Sequence, residues 1–246
     1  MVEAPWCPVV ELRQYTLRPG RRDDLIDLFD REFVESQEAG GAALLGQFRD
    51  LDDPDRFVWL RGFAGMTSRT EALERFYGGP VWAAHRDEAN ATMIDSDDVL
   101  LLRPASASGG FPVPVGTRPA PGEPAPLPPS LVLATIWYGH GPFDATFVEF
   151  FEERVRPVLS ETGCEPLAYL QSEHAPNTFP ALPVRLGEEV FVWFARFTDE
   201  AHLDRHLERL EHADRWREEV LPTLSARWVR APQRLRLAPT RRSTLR

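Results

Sequence analysis

Two short runs place ionisable side chains where chemistry could be done. Val9-Val10-Glu11-Leu12-Arg13-Gln14-Tyr15-Thr16 and Phe57-Val58-Trp59-Leu60-Arg61-Gly62-Phe63 both alternate in the period-two manner of half-buried strands. Successive strand side chains point to opposite faces, so Glu11, Arg13 and Tyr15 share one face of the first run, and Trp59 and Arg61 share one face of the second. An arginine pair suits a carboxylate or a phosphate, and a partly desolvated glutamate can serve as a base with a raised pKa. The expected assignment is Glu11 as base, Tyr15 as hydrogen-bond donor, and Arg13 and Arg61 as anchors, with Trp59, Gln47, Tyr169 and Trp137 lining the same space. The structural alternatives are a Glu-Arg ion pair that sets strand register, and tyrosines satisfied within a core.

Other reactive residue types carry less. His202 and His206 stand at the i, i+4 spacing of two metal ligands on one helix face, but the apolar stripe Leu203, Leu207, Leu210 puts His202 toward solvent and His206 at the boundary. His140 and His174 fall in loops. Arg86 interrupts the stripe Trp82, Ala89, Met93 as a charge expected to need an ion pair, and Asn90 at its edge suits a local cap. Two cysteines, Cys7 and Cys164, build neither a disulfide framework nor a cysteine metal site. No Gly-rich nucleotide loop and no Gly-x-Ser-x-Gly elbow occurs.

Composition excludes further classes. A net charge of −10 disfavours DNA and anionic membrane surfaces, and every one of the 28 basic residues is arginine, which removes Schiff-base and phosphate-loop lysine chemistry. No apolar run approaches the roughly 18 to 20 residues of a membrane span, and Met1 to Pro8 lacks signal-peptide regions, so the expected location is the cytoplasm.

The elements that must position these residues come in two sets. Nine prolines between Pro104 and Ser130 mark a linker, 104–130, that separates residues 9–103 from residues 131–238. Tyr15 matches Trp137, Gly41 matches Gly163 and Leu45 matches Leu167 at an offset of 122. From the third strand the offset is 134, pairing Trp59 with Trp193 and Trp82 with Trp216, so a proline-rich insertion of 12 residues lies around Glu173 to Glu189. Ser68 with Glu71, and Thr198 before Asp199 and Glu200, are the expected caps of the later helices. Each set reads strand, helix, strand, strand, helix, strand, the ferredoxin-like arrangement of an α+β fold. Val10, Leu12, Val58, Leu60, Val132, Ala134, Ile136, Val192 and Phe194 would pack under the helices. The opposite, aromatic face would be buried by turning the two sheets toward each other as one pseudo-dimeric α/β barrel.

Residues 9–103 carry Glu11-Leu12-Arg13-x-Tyr15-Thr16-Leu17-x-Pro19-Gly20, Asp53-Pro54-x-Arg56-Phe57-Val58-Trp59-Leu60-Arg61-x-Phe63, Phe76-Tyr77, Pro80-Val81-Trp82 and Arg86-x-x-Ala89-Asn90-x-x-Met93. This region resembles the NIPSNAP family, and the second region looks like a diverged copy. The resemblance implies the dimeric α/β-barrel superfamily, which includes cofactor-free monooxygenases, haem enzymes and small isomerases. At the positions of Glu11, Arg13 and Arg61 the second copy has Leu133, Thr135 and Ala195, so any function using those groups would exist once per chain.

These readings lead to a cofactor-independent enzyme that holds a small metabolite, with a carboxylate as the group the arginines would anchor, between the two sheets, in a setting such as bacterial secondary metabolism. A non-catalytic binding or scaffold protein is the second reading. A haem protein is the third, with His85 as ligand by analogy with haem-binding relatives. The expected partner is a small molecule rather than nucleic acid or membrane. The chain would be a monomer or a homodimer through outer surfaces, since one chain supplies both sheets.

Overall fold

Alternating β-branched and aromatic runs bounded by glycine form the strands, and the helices end where glycine takes a left-handed backbone, at Gly41 (φ 105°) and Gly163 (φ 104°). The computed structural model describes residues 6–113 and 118–246; the first five residues of the N-terminal segment and linker residues 114–117 lie outside the described residues. The first half contributes β1 (Val9–Leu17), β2 (Ala43–Asp50), β3 (Arg56–Phe63) and β4 (Met93–Pro104). The second contributes β5 (Leu131–Gly139), β6 (Pro166–Ser172), β7 (Glu189–Phe197) and β8 (Gln233–Pro239). All eight close into an antiparallel barrel in the order β1-β3-β2-β8-β5-β7-β6-β4. Closure is made twice between halves, at β2–β8 (Phe48↔Pro239 to Asp50↔Leu237) and at β4–β6 (Leu102↔Ser172 to Pro104↔Leu170). One chain therefore completes the barrel.

The helices lie outside it. In the first half α1 (Arg22–Leu28) runs through a π-helical turn, Phe29–Phe33, into α2 (Val34–Ala39), and α3 (Met66–Tyr77) is followed by α4 (Pro80–Thr92). In the second, α5 (Ala145–Phe150) runs through a π turn, Phe151–Val155, into α6 (Arg156–Glu161). There α7 (Glu200–His212) is followed by a π turn, Trp216–Val220, and α8 (Leu221–Ser225). The first two π turns fall at matching positions, as do the bulges at Leu44/Gly46 and Pro166/Ala168. No helix among the described residues is long and apolar enough to cross a membrane.

Strand alternation is as expected, but the two faces are exchanged. Val10, Leu12, Val58, Leu60, Val132, Ala134, Ile136, Val192 and Phe194 belong to one cluster that fills the barrel from both sheets. Phe111 from the linker joins this cluster and meets Phe194 with ring centroids 5.0 Å apart, as do Cys7 and Leu245 from near the two chain ends. The aromatic face lies under the helices, with Tyr15, Trp59 and Phe63 packed on α1 to α4 and Trp137, Tyr169 and Trp193 on α5 to α8. The inter-sheet space expected to take a ligand is thus occupied by aliphatic side chains. The interior of an eight-stranded barrel is just wide enough for its own side chains to fill, and here Phe48, Phe111, Tyr138 and Phe194 pack among the aliphatic residues.

Local corrections follow from the same packing. The first-half helix begins after Gly65 with no side-chain cap, and Ser68 lies within α3; in the second half the cap is Asp199, whose carboxylate accepts from His202 N–H at 2.7 Å. Arg86 and Asn90 are exposed, and the stripe of α4 passes through Trp82, His85 and Ala89 instead, so Arg86 needs only its surface pairing with Asp87.

Leu60→Ala and Phe194→Ala each remove a fully buried interior group. They are expected to cost about 2–5 and about 3–5 kcal/mol, read from urea midpoints at unchanged slope.

Candidate functional site

The space between sheet and helices is used differently in the two halves. In the first, β1 and β3 pair Glu11 with Arg61 and Arg13 with Trp59, which sets the three ionisable groups side by side under α2 and α3. Glu11 Oε2 accepts from Arg13 Nη1 at 2.8 Å and Arg61 Nε at 2.7 Å, and its Oε1 accepts from Arg69 Nε at 2.6 Å. Arg69, on α3, was invisible in the sequence because a charged residue in the first turn of an amphipathic helix normally faces solvent; here it is fully buried. Gln37 Oε1 accepts from Arg61 Nη1 at 2.8 Å, and the Tyr15 hydroxyl accepts from Arg13 Nε at 3.1 Å. The guanidinium groups of Arg13 and Arg61 also lie 5.3 and 5.0 Å from the Trp59 ring.

This geometry engages both carboxylate oxygens of Glu11 with arginine donors. Burial by itself would raise its pKa, but the positive charges of Arg61, Arg13 and Arg69 outweigh that and hold the carboxyl well below its ordinary 4.5. Burial raises the pKa of Tyr15, which favours its neutral form. Gln47 is buried beside Trp59, its register partner, and neither amide atom nor Trp59 Nε1 has a hydrogen-bond partner.

Tyr169 and Trp137, expected in the same space as Glu11, lie instead in the second half. The Tyr169 hydroxyl is held by Glu152 at 2.5 Å and by Ser106 and Ser108 at 3.0 Å each, the arrangement of a satisfied core tyrosine. Trp137 stacks on Phe191 at 5.7 Å and borders a cavity of about 300 Å³.

That cavity exists because Leu133 and Thr135 stand where the first half has Glu11 and Arg13: Leu133 pairs with Ala195 as Glu11 pairs with Arg61. Its floor is Leu133, Thr135, Trp137, Trp193 and Arg234 from β5, β7 and β8. Its roof is His206, Leu207 and Leu210 from α7, Trp216, and Leu221 of α8, with Trp228, Pro232 and Glu211 completing the wall. Four polar atoms of lining residues are buried without a partner: Thr135 Oγ1, Trp193 Nε1, His206 Nε2 and Trp228 Nε1. Buried polar groups are nearly always paired, and these four, without a hydrogen-bond partner among the described residues, all belong to residues that line one cavity.

His206 was placed at a helix boundary by the sequence; it is 1% exposed. Its Nδ1 lies 3.1 Å from Thr162 Oγ1 and 3.4 Å from the Thr162 carbonyl. The single hydroxyl proton of Thr162 goes to the Val158 or Leu159 carbonyl, each at 2.9 Å, so the imidazole donates from Nδ1 and carries a lone pair on Nε2. Burial, with the charges of His202 and Arg234, brings its pKa down to about 4 against the upward pull of the Thr162 bond. Arg234 has no hydrogen-bond or ion-pair partner among the described residues and is exposed.

The remaining histidines have other surroundings. His202 Nε2 meets the Gly163 carbonyl at 3.1 Å rather than sharing a ligand with His206. Both ring nitrogens of His85 face carboxylates, Glu88 at 3.4 Å and Glu32 at 3.7 Å. His174 meets Glu189 at 3.0 Å, and His140 borders a separate small loop cavity. Among the described residues no three His, Cys, Asp or Glu side chains group as a metal site.

A family model for NIPSNAP matches residues 10–109. That match lies in the first half of the chain. Its strands β1 to β4 and the buried Glu11-arginine cluster fall inside that match, whereas the cavity of the second half falls outside it. Among solved structures, a monooxygenase-like protein from Lactobacillus acidophilus NCFM aligns over 95% of this chain and 94% of its own, at 12% identity and a TM-score of 0.55. Another from Fusobacterium nucleatum aligns over 95% and 92% at 8% identity and a TM-score of 0.54. An anthrone oxidase-like protein aligns over 94% and 91% at 12% identity and a TM-score of 0.57. These likenesses show a shared α/β-barrel fold that continues through both halves, beyond the NIPSNAP match. No curated protein matches the chain.

Two acid sensitivities follow. Because the Glu11 carboxyl is lowered on folding, its contribution to stability is present above about pH 4.5 and is lost as pH falls below that. His206, lowered from 6.5 to about 4, leaves the unfolded state binding more protons between those values, so stability also falls as pH drops through that window. Glu11→Gln is expected to flatten the lower limb and His206→Leu the upper limb of stability measured by urea unfolding from pH 8 to pH 3. At neutral pH Glu11→Gln is expected to cost about 3–5 kcal/mol, because three buried arginines lose their carboxylate.

Proposed function

We propose that the cavity of the second half binds a small aromatic metabolite and that the protein is an enzyme of the cofactor-independent kind, with His206 as proton acceptor. The observation that carries this is the meeting of about 300 Å³ of aromatic-lined space with four unpartnered polar atoms. That volume is at the lower end of ligand pockets, enough for a compact ring system. Trp193 and Trp228 can each donate an indole N–H to a ring oxygen, Thr135 can donate or accept, and His206 Nε2 accepts from an O–H or an acidic C–H. Arg234 at the mouth suits a carboxylate on the same molecule.

A neutral imidazole whose Nδ1–H is already engaged presents its Nε2 lone pair as the acceptor, and removing a proton makes an electron-rich aromatic reactive toward dioxygen. The monooxygenase-like and anthrone oxidase-like neighbours support that reaction class through their shared barrel. Glu11, Arg13, Arg61 and Tyr15 have no part in this step, since they lie under the helices of the other half.

Trp137, Trp193, Trp216 and Trp228 all border the cavity, so occupancy is expected to quench tryptophan fluorescence. Titration with anthrone, hydroxynaphthoic acids and simple phenols, with oxygen uptake followed in parallel, checks the reading. A saturable quench with turnover is expected, and His206→Gln is expected to keep the quench while lowering kcat about 10²–10⁴-fold. Activity should hold from neutral pH down to about 5 and fall as His206 protonates near 4. A panel that quenches nothing removes the binding site. Full turnover in His206→Gln removes the proton acceptor.

A further inference from the structure

The first half buries a charge imbalance that the second half does without. Glu11, Arg13, Arg61 and Arg69 are each at most 1% exposed, one carboxylate against three guanidinium groups. Both Glu11 oxygens are already spent, one on Arg13 and Arg61 and the other on Arg69. The other groups that meet these arginines are uncharged: Gln37, Tyr15 and Asn177, whose Oδ1 accepts from Arg69 Nη1 at 3.0 Å. Among the described residues Glu11 is their one ion-pair partner. Nη2 of Arg61 and Nη2 of Arg69 are both buried and have no hydrogen-bond partner among the described residues.

The fold does not require this. Leu133, Thr135 and Ala195 occupy the matching strand positions, and Leu203 of α7 is the fully buried match of Arg69 at the offset of 134. Apolar packing at such positions is commonly as stable as a buried ion network, so two surplus positive charges held out of water call for a counter-charge. The roof over them is also particular to this half. The segment 173–188, inserted between β6 and β7, crosses from the second half onto α3. There Asn177 bonds Arg69, Thr178 bonds Thr70 at 2.5 Å, and Phe179 stacks on Tyr77 with centroids 6.0 Å apart.

We propose that Arg61 and Arg69 together bind a small oxyanion, a carboxylate or a phosphate, in a site closed by the segment 173–188. The two free Nη2 groups supply the donors, Glu11 holds the guanidinium planes in place, and lifting of the roof admits the anion. Each of the two arginines, joined to the other through one carboxylate, keeps a buried Nη2 donor to offer an anion after Glu11 has been satisfied.

Equilibrium dialysis of the full chain against radiolabelled inorganic phosphate, at constant ionic strength set with chloride, tests this. Saturable uptake of one phosphate per chain is expected, or, if the site prefers carboxylates, uptake of labelled acetate or succinate under the same conditions. Competition between the two probes tells a general oxyanion site from a selective one. Arg69→Met is expected to abolish uptake; Arg69→Lys keeps the charge while losing the planar fork, and is expected to weaken uptake at least tenfold in a folded protein. His206→Gln, in the other half, is expected to leave uptake unchanged, which separates this site from the aromatic cavity. Absence of saturable uptake of all three probes, or uptake by Arg69→Lys equal to wild type, overturns the proposal.

Discussion

The aliphatic layer inside the barrel is the constraint on which everything else rests. Each four-stranded sheet presents one face of Val, Leu, Ile and Ala that its own helices do not cover, and only the other sheet can remove that surface from water. Strand pairs β2–β8 and β4–β6 then satisfy the backbone groups at both sheet edges. Phe111 and Leu245, from segments with no strand of their own, complete the same cluster. With the interior committed to packing, chemistry is left to the outer layer between sheet and helices.

That outer layer has been used twice to different ends. The β1/β3 floor carries Glu11, Arg13 and Arg61, which with Arg69 of α3 form a buried ion cluster. The β5/β7 floor carries Leu133, Thr135 and Ala195, and the shorter side chain of Thr135 opens a cavity beneath α7. A single scaffold thereby holds a buried ion cluster in one half and an aromatic-lined cavity in the other. Neither site duplicates the other, which matches a fold whose functions reside in local residues rather than in its architecture.

The halves are also joined outside the barrel. Segment 173–188 leaves the second half at β6 and seals the arginine cluster of the first, while Arg185 on the same segment pairs with Asp98 of β4 at 3.0 Å. A movement of this segment would change solvent access to Arg69 and, through its anchor at β6, the edge at which the sheets close. Buried charge is sensitive to such access, because water entering the cluster weakens every ion pair in it.

The sequence by itself determined the order of the elements, the two-fold run of strand, helix, strand, strand, helix, strand, and the grouping of residues by strand face. Local periodicity and glycine position carry that information, and the pairing of Glu11, Arg13 and Arg61 was legible from it. Which face turns inward was not legible, since alternation separates two faces without saying on which side the helices pass; crossover handedness and barrel closure decide that in three dimensions. For the same reason Glu11 read as a base and emerged as a carboxylate held ionised. Arg69, which joins Arg61 and Arg13 in holding it so, is brought from 58 positions away by α3. His206 likewise gained its free nitrogen only through Thr162, which lies 44 positions away in sequence at the end of α6. Strand periodicity is a property of neighbours along the chain, whereas pKa, burial and unpartnered atoms are properties of neighbours in space, and only the closed barrel with its helices supplies those.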